Sequence, residues 1–176
     1  MEALVIAESS GTINNDAESA IDYYQGNFQT VSKLVQKLEY YCSVETRIIT
    51  DSNGLISGST DISEKVTQSD IKPTDEASSL LIESADDFDI VVVLLTTDVF
   101  RQVIIEHWGE IVNEVSGDAI WCLGTSRSAI SDCDINDLRK NIREVFIYER
   151  VGVAPIDNTT RKAFLASVES RAKELQ

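Results

Sequence analysis

The feature that most constrains the fold of this chain is the continuous aliphatic run Ile90-Val91-Val92-Val93-Leu94-Leu95. Its β-branched residues favour a strand, and a strand without apolar–polar alternation has both of its faces covered. Fully covered strands are typical of parallel sheets that carry helices on each side. The run therefore predicts a parallel sheet flanked by helices.

Four shorter apolar runs predict further strands, and helical patterns separate them along the chain. These runs lie at residues 4–7, 47–50, 119–123 and 145–148. Five strands that alternate with helices predict a three-layer α/β/α sandwich around a central, mostly parallel, five-stranded sheet of the Rossmann or flavodoxin-like kind. The length suits a single α/β domain spanning residues 1–176. A polar stretch at about residues 57–74 is expected to be a long connection within that domain.

The helices are predicted from apolar spacing and from capping residues. Apolar residues recur at spacings of three and four between Ile21 and Cys42, which predicts one amphipathic helix with Asn15 in a capping pair at its start. Thr97 or Asp98 is expected to cap the helix that follows the aliphatic run. The aromatic residues that crowd the first helix are expected to pack it against the sheet rather than to stack on bases.

Thirty Asp and Glu residues against fifteen Lys and Arg residues give the chain a net charge of −15. Phosphate affinity comes mostly from basic side chains, so this charge disfavours direct nucleic-acid binding, and it also disfavours anionic membrane surfaces. Dense carboxylate is typical of proteins in a salt-rich cytoplasm and also of ordinary acidic proteins, and both explanations remain open. A hydrophobic content of 43% excludes a disordered acidic tail.

The sequence predicts an intracellular, cytoplasmic protein. No run approaches about 18 apolar residues, and the N-terminal Met-Glu-Ala-Leu lacks the basic flank of a secretory signal. The cysteines, Cys42, Cys122 and Cys133, are odd in number and have no C-x-x-C spacing, which favours reduced, buried thiols. Because the chain has one histidine, His107, a metal site and a Ser-His-Asp triad are both disfavoured.

Small polar residues follow each predicted strand, where ligands bind in open parallel sheets. The hydroxyls and backbone N–H groups of residues 9–12 suit a phosphate or carboxylate, and a guanidinium after a later strand can bind the same anion bidentately. The sequence therefore predicts an anion site at the carboxyl ends of the strands. Its predicted residues are Ser9, Ser10, Gly11, Thr12, Asp51, Thr97, Thr125, Ser126, Arg127 and Arg150.

Each of these groups also has a plainer interpretation. Residues 9–12 lack the G-K-[ST] ending of a Walker A loop and the G-x-G-x-x-G pattern, so they can form an ordinary polar turn. The two arginines can each pair with a surface carboxylate. Four carboxylates near strand ends are acid–base candidates if two of them meet, and helix caps or solvated groups otherwise. These are Glu8, Asp51, Asp98 and Glu149.

The first third of the chain resembles a known group of small α/β domains. A strand ending in a small polar loop is followed by Tyr24-Gln25-Gly26-Asn27-Phe28, Tyr40 and a second strand leading into Gly54-Leu55-Ile56. This order is similar to that of domains related to the peroxide-stress YaaA proteins, and comparable domains accompany deazaguanine-type nucleic-acid modification enzymes. That group usually has a Cys-Ser pair and a lysine in the first loop, whereas here Ser9 replaces the cysteine and the first lysine is Lys33. The resemblance implies an accessory or degenerate member with a nucleic-acid- or nucleoside-associated role.

The chain also resembles the flavodoxin class in its length, its acidity and its predicted parallel topology. The flavodoxin phosphate loop is rich in Thr and Ser around a Gly, as residues 9–12 are, although only part of the T-x-T-G-x-T pattern is present. The sequence itself predicts no cofactor. This resemblance implies FMN as the alternative.

Together these features predict a protein that binds a small anionic ligand, of nucleotide or nucleoside type, at the carboxyl ends of its strands. A non-catalytic interaction module that contacts an unknown protein is the first alternative. A flavodoxin-like electron carrier is the second.

The net charge generates a prediction about salt. If the acidity is an adaptation to salt, repulsion between carboxylates destabilises the fold in dilute buffer, where the Debye length is about 30 Å at about 0.01 M. The melting temperature, measured by calorimetry, should then climb steeply as KCl rises into the molar range. If the melting temperature does not change as KCl rises, the remaining explanation is that this is an ordinary acidic protein.

Overall fold

The computed structural model describes residues 1–62, 70–115, 117–150 and 158–176, apart from the side chains of Glu149 and Arg150. The strands are β1 (Glu2–Glu8), β2 (Ser43–Thr50), β3 (Gly54–Ser57), β4 (Ile90–Leu94), β5 (Ile120–Ser126) and β6 (Glu144–Arg150). The α-helices among these residues are α1 (Ala20–Tyr23), α2 (Gln29–Leu38), α3 (Pro73–Ser84), α4 (Thr97–Phe100), α5 (Trp108–Glu114), α6 (Arg127–Ser131), α7 (Ile135–Asn141) and α8 (Asn158–Glu174).

The strands form one sheet in the order β3-β2-β1-β4-β5-β6, and every neighbouring pair is parallel except β2 with β3. The predicted α/β fold and its five parallel strands are confirmed, and β4 is buried along its whole length between β1 and β5. Counted without β3, the parallel strands lie in the order 2-1-3-4-5, which is the doubly wound order of flavodoxin-like folds.

The sixth strand, β3, corrects the predicted number of strands. It forms a hairpin with β2 after the turn at residues 51–53, and Gly54 has a φ of 76° at the end of that turn. The predicted polar connection at residues 57–74 therefore begins at the last residue of β3 and ends where α3 begins at Pro73. Residues 63–69 of that connection lie outside the described residues.

Two hydrophobic cores cover the two faces of the sheet, which explains why β4 and β5 do not alternate with polar residues. On one face, Trp121 and Leu123 of β5 pack in a core with residues of α3, α4, α5, α6 and α7. On the other face, Ile120 and Cys122 pack in a core with residues of α1, α2 and α8. The sheet is therefore the middle layer of three.

The first helix starts later than predicted, because its first N–H groups bind a distant segment and not a capping side chain. Ala20 N–H donates to the Thr60 carbonyl and Ile21 N–H to the Gly58 carbonyl, each at 2.9 Å. These bonds satisfy donors that a helix leaves open at its N-terminus. The prediction of Asn15 as part of a capping pair is therefore wrong.

The predicted single helix between Ile21 and Cys42 is divided in two. Gly26 has a φ of 63° and begins a 3₁₀ turn, Gly26–Phe28, which separates α1 from α2. Tyr24 and Phe28 are buried on either side of this break, with ring centroids 5.7 Å apart. The expected packing against the sheet is found for Tyr23, Tyr24, Phe28 and Tyr41. It is wrong for Tyr40, which is exposed.

The helical segment after β4 contains an irregularity that the sequence did not reveal. Thr96, and not Thr97 or Asp98, is the residue that precedes α4, and its side chain makes no capping hydrogen bond. Arg101–Ile105 then forms a π-helical turn. A π-helical turn interrupts the regular backbone hydrogen bonds of an α-helix. The buried Ser78 hydroxyl donates a hydrogen bond to the Val103 carbonyl of this turn at 3.1 Å.

The amino ends of β1 and β4 are tied together by a side chain. The Asp89 carboxylate, one residue before β4, accepts a hydrogen bond from Glu2 N–H at 2.8 Å and lies 3.8 Å from the Met1 ammonium group. These contacts fix the register in which the two central strands meet.

Gly124 marks a close approach that leaves no room for a side chain. A Cβ built on Gly124 lies 2.7 Å from Leu94 Cδ2 and 3.3 Å from Tyr148 Cδ1, so both neighbours must move. We expect Gly124→Ala to lower the free energy of unfolding by about 1–3 kcal/mol, the usual cost of overpacking. Gly11→Ala is the control, because a Cβ there meets nothing within 4 Å. Equal denaturation midpoints for the two variants would contradict this packing.

Candidate functional site

The strand order reverses between β1 and β4, because the chain moves from β1 outward to β2 and β3 and then returns to the other side of β1. In open α/β sheets the crevice at such a switch point, beyond the carboxyl ends of the strands, is the usual ligand site. The loops that leave β1, β4 and β5 open at this edge. Ser9 to Thr12 lie on the loop after β1, Thr125 and Ser126 are the last residues of β5, and Thr97 and Arg127 begin α4 and α6.

The Glu8 carboxylate lies at the switch point itself. Glu8 is the last residue of β1, and its carboxylate accepts hydrogen bonds from the backbone N–H of Thr96 and, at 3.0 Å, from the Thr96 hydroxyl. Thr96 follows β4 and directly precedes α4. A carboxylate side chain therefore holds the ends of the two central strands together at the switch point.

The predicted anion loop, residues 9–12, is bound to its own chain. The Ser10 hydroxyl donates to the Gln25 carbonyl at 2.5 Å and to the Thr12 carbonyl at 3.0 Å, and Gln25 N–H donates back to Thr12 at 2.8 Å. Ser9 N–H donates to the Ile49 carbonyl of β2. The Ser9 N–H and the Ser10 hydroxyl are thus used within the protein, whereas Gly11 and Thr12 are exposed.

A second group of predicted residues meets between β4 and β5. The Thr97 hydroxyl donates to Ser126 Oγ at 2.8 Å, and Ser126 Oγ lies 3.1 Å from Ser128 Oγ. Ser126 Oγ also accepts a hydrogen bond from Ala129 N–H, so it caps α6. We call Thr97, Ser126 and Ser128 the hydroxyl cluster. The exposed Arg127 stands between its two serines in the sequence.

The remaining predicted residues are dispersed around this edge. The loop at residues 9–12 and the hydroxyl cluster follow strands that are separated by β4, so their backbones begin about 10 Å apart at the usual strand spacing. Asp51 is exposed in the turn after β2, on the side of β1 away from the cluster. Arg150 pairs in register with Ser126, and its side chain lies outside the described residues.

Thr125 differs from the other predicted site residues because its side chain is fully buried. The residue is 0% exposed, and Oγ1 has no hydrogen-bond partner among the described residues. A buried, unsatisfied hydroxyl costs about 1–3 kcal/mol. The predicted role of Thr125 as a ligand-binding residue therefore requires a ligand that reaches the interior.

None of the other chemically active side chains that the structure describes joins the hydroxyl cluster. Burial raises the pKa of Cys122 and of Cys133 to about 12, and that of Cys42 to about 11, so the thiols stay protonated at neutral pH. His107 lies before α5, with Nδ1 3.7 Å from the Glu110 carboxylate. Asp98 is exposed, and the Glu149 side chain lies outside the described residues. Among the described residues, no group of three metal-binding side chains is found.

Sequence reasoning missed two features of the molecule. Ser128 joins the hydroxyl cluster, and its position two residues after Ser126 was the available signal, since both lie in one turn of α6. A pocket of about 550 Å³ lies at the outer edge of β2, where α2 and residues 57–59 border it. Nothing in the local sequence of β2 marks this pocket, because it depends on the shortness of β3.

The fold and the site together define a doubly wound α/β protein with a flavodoxin-like strand order and a polar switch point. No protein-family model matches the sequence, and no curated protein matches it. Among solved structures, the chain is similar to the flavodoxin-like domain of a Synechococcus sp. protein, with 10% sequence identity, a TM-score of 0.41, and coverage of 98% of this chain and 97% of that chain. Within the described residues, none of the helices has the length and apolar character needed to span a membrane.

Whether the Thr125 hydroxyl has a hydrogen-bond partner can be tested by removing the hydroxyl while keeping the shape of the side chain. We expect Thr125→Val to leave the free energy of unfolding unchanged or to raise it by about 1 kcal/mol, since no bond is lost. Thr50→Val is the matched control: the buried Thr50 hydroxyl donates to the Gly54 carbonyl at 2.8 Å and accepts from Asn53 N–H at 2.9 Å. That variant should lose about 1–3 kcal/mol in guanidinium denaturation. Equal losses in both variants would show that Thr125 has a partner.

Proposed function

We propose that this protein binds a small anionic ligand, of nucleotide or nucleoside type, at the hydroxyl cluster between β4 and β5. The observation that carries the proposal is the chain of hydroxyls from Thr97 through Ser126 to Ser128 beside the exposed Arg127. Ser126 Oγ keeps its bond to Ala129 N–H, whereas the hydroxyl-to-hydroxyl bonds can be exchanged for bonds to a phosphate oxygen at little cost. A guanidinium adds a charge-assisted, bidentate contact.

The charge of Glu8 decides on which side of the switch point the anionic group is bound. Its carboxylate is fixed at the ends of β1 and β4 by Thr96, and a like charge placed beside it would be repelled. The hydroxyl cluster lies on the far side of the β4 end, where Arg127 supplies a positive charge. The uncharged part of the ligand then extends toward Gly11 and Thr12. The resemblance of the first third of the chain to YaaA-related domains implies a nucleoside for that part.

Binding is favoured over nucleophilic catalysis by the partners of the hydroxyls. Among the described residues, the hydroxyl cluster bonds to its own members and to a backbone N–H, and no imidazole or carboxylate accepts its protons. Activation of a serine or threonine requires such a base. We therefore propose a ligand-binding protein, with no reaction assigned to the cluster.

The residues do not fit FMN. A flavin phosphate at the switch point would have to bind beside the Glu8 carboxylate, and the Ser10 hydroxyl already donates to two carbonyls. The position of the Glu8 carboxylate at the switch point also favours a second candidate, a non-catalytic interaction module. In that case Glu8 is simply a clamp between β1 and β4, and the exposed loops contact a partner protein.

The ligand proposal can be tested by calorimetry at constant ionic strength with adenosine, AMP, ATP and sulfate. Arg127→Ala should weaken binding of the phosphorylated ligands about tenfold or more, since a charge-assisted contact contributes about 1.5–3 kcal/mol. Glu8→Gln keeps an acceptor for Thr96 and removes the repulsion, so it should tighten binding. Arg139→Ala is the charge-matched control, because Arg139 lies in the last turn of α7, which leads to the amino end of β6.

Two outcomes would overturn the proposal. One is that the wild-type protein binds none of these ligands. The other is that Arg127→Ala and Arg139→Ala bind the phosphorylated ligands equally well. Either result would place the interaction module first.

A further inference from the structure

The outer edge of β2 is only half covered by its neighbour. β2 extends over Ser43–Thr50, whereas β3 pairs only with its second half, from Arg47 to Thr50. Beyond this pairing, Gly58 N–H donates to the Thr46 carbonyl at 2.8 Å, and the chain then leaves the edge. Among the described residues, no strand pairs with the outer side of residues 43–46.

The alternation of the ladder shows which backbone groups face this open edge. Ser43 N–H donates to Met1, and the Ile49 carbonyl accepts from Ser9, so the odd-numbered residues of β2 bond toward β1. The Thr46 carbonyl accepts from Gly58, so the even-numbered residues bond outward. It follows that the N–H and C=O of Val44 point outward, with no strand opposite them in the described part of the chain.

The path of the chain after β3 keeps this edge open. The Gly58 carbonyl accepts a hydrogen bond from Ile21 N–H, which draws the chain over α1 and away from β2. A Cβ on Gly58 would lie 2.9 Å from Thr46 Cβ, so the turn needs a glycine at this point. The open edge is thus a result of specific contacts near Gly58.

A pocket of about 550 Å³ lies along this edge and has a negative border. Residues 44–47 form one wall, and Val35 of α2 and Glu39, which directly follows α2, form part of another. The Glu45 carboxylate is already paired with Arg47 at 2.7 Å. Glu39 is exposed and has no ion pair among the described residues. The charge left at the pocket is negative, as is the net charge of −15.

We propose that the edge of β2 at residues 43–46 binds an extended peptide segment of a partner protein by strand addition, with a lysine or arginine of that segment paired to Glu39. The bound segment lies in line with β3, beyond Ser57. Its backbone forms hydrogen bonds with Val44 like those that β3 forms with Ile48. Main-chain hydrogen bonds supply the affinity in this mode, and the side-chain pairs supply the specificity. This site is independent of the ligand proposed above.

The test uses two fluorescein-labelled, acetylated peptides, Lys-Val-Thr-Val-Lys-Thr and Glu-Val-Thr-Val-Glu-Thr, titrated with the whole protein at low salt. Fluorescence anisotropy should show binding of the lysine peptide, at least tenfold tighter than the glutamate peptide. Glu39→Lys should reduce that preference at least fivefold. Glu83→Lys, an equal charge change at an exposed position of α3, should leave it within about twofold.

The backbone contact is tested separately. Val44→Pro removes the outward N–H and should abolish binding, whereas Val44→Thr keeps the N–H and should bind the lysine peptide as the wild type does. In the wild-type protein, hydrogen exchange at the Val44 amide should slow when the lysine peptide is added, and this measurement does not depend on the folding of any variant. Equal binding of the two peptides, an unchanged Glu39→Lys preference, or an unprotected Val44 amide at saturating peptide would each overturn the proposal.

Discussion

The parallel pairing of β1 with β4 is the interaction on which the rest of this structure depends. Both strands are buried between the two cores, with Leu4 and Ile6 on one face and Val5 and Ala7 on the other. Because β1 pairs with β2 on its other side, the chain must return across the sheet to form β4. That return creates the switch point, so the place of a ligand site is set by the same contacts that form the core.

The switch point is polar, and its charges are unequally distributed. Glu8 supplies a fixed negative charge at the end of β1, and Arg127 a positive one after β5, with β4 between them. In flavodoxin-like folds the loop after the first strand holds the phosphate. In this chain the Ser10 hydroxyl of that loop donates to backbone carbonyls, and the hydroxyl cluster lies two strands away. The proposed ligand is therefore bound off centre relative to the fold's usual site.

The sequence predicted those elements whose cause is local. The unalternating run from Ile90 reflects burial on both faces, so the position of β4 in the centre could be inferred from residue types alone. The start of α1 could not, because it depends on hydrogen bonds from Ala20 and Ile21 to residues about forty positions later in the chain. The four residues of β3 are too few to produce a recognisable pattern. For the site, the residue types after each strand were predictable, but the contact of Glu8 with Thr96 requires the strand order.

The side-chain contacts at the two ends of β1 have a mechanical consequence. Asp89 ties its amino end to the start of β4, and Glu8 ties its carboxyl end to Thr96 just after β4. A force directed along β1 loads its ladders with β2 and β4 in shear, so that the backbone hydrogen bonds on both sides resist together with these two contacts. The strand can slide only if all of them break at once. β3, which pairs with β2 through four residues, lies outside the part of the sheet that bears this load.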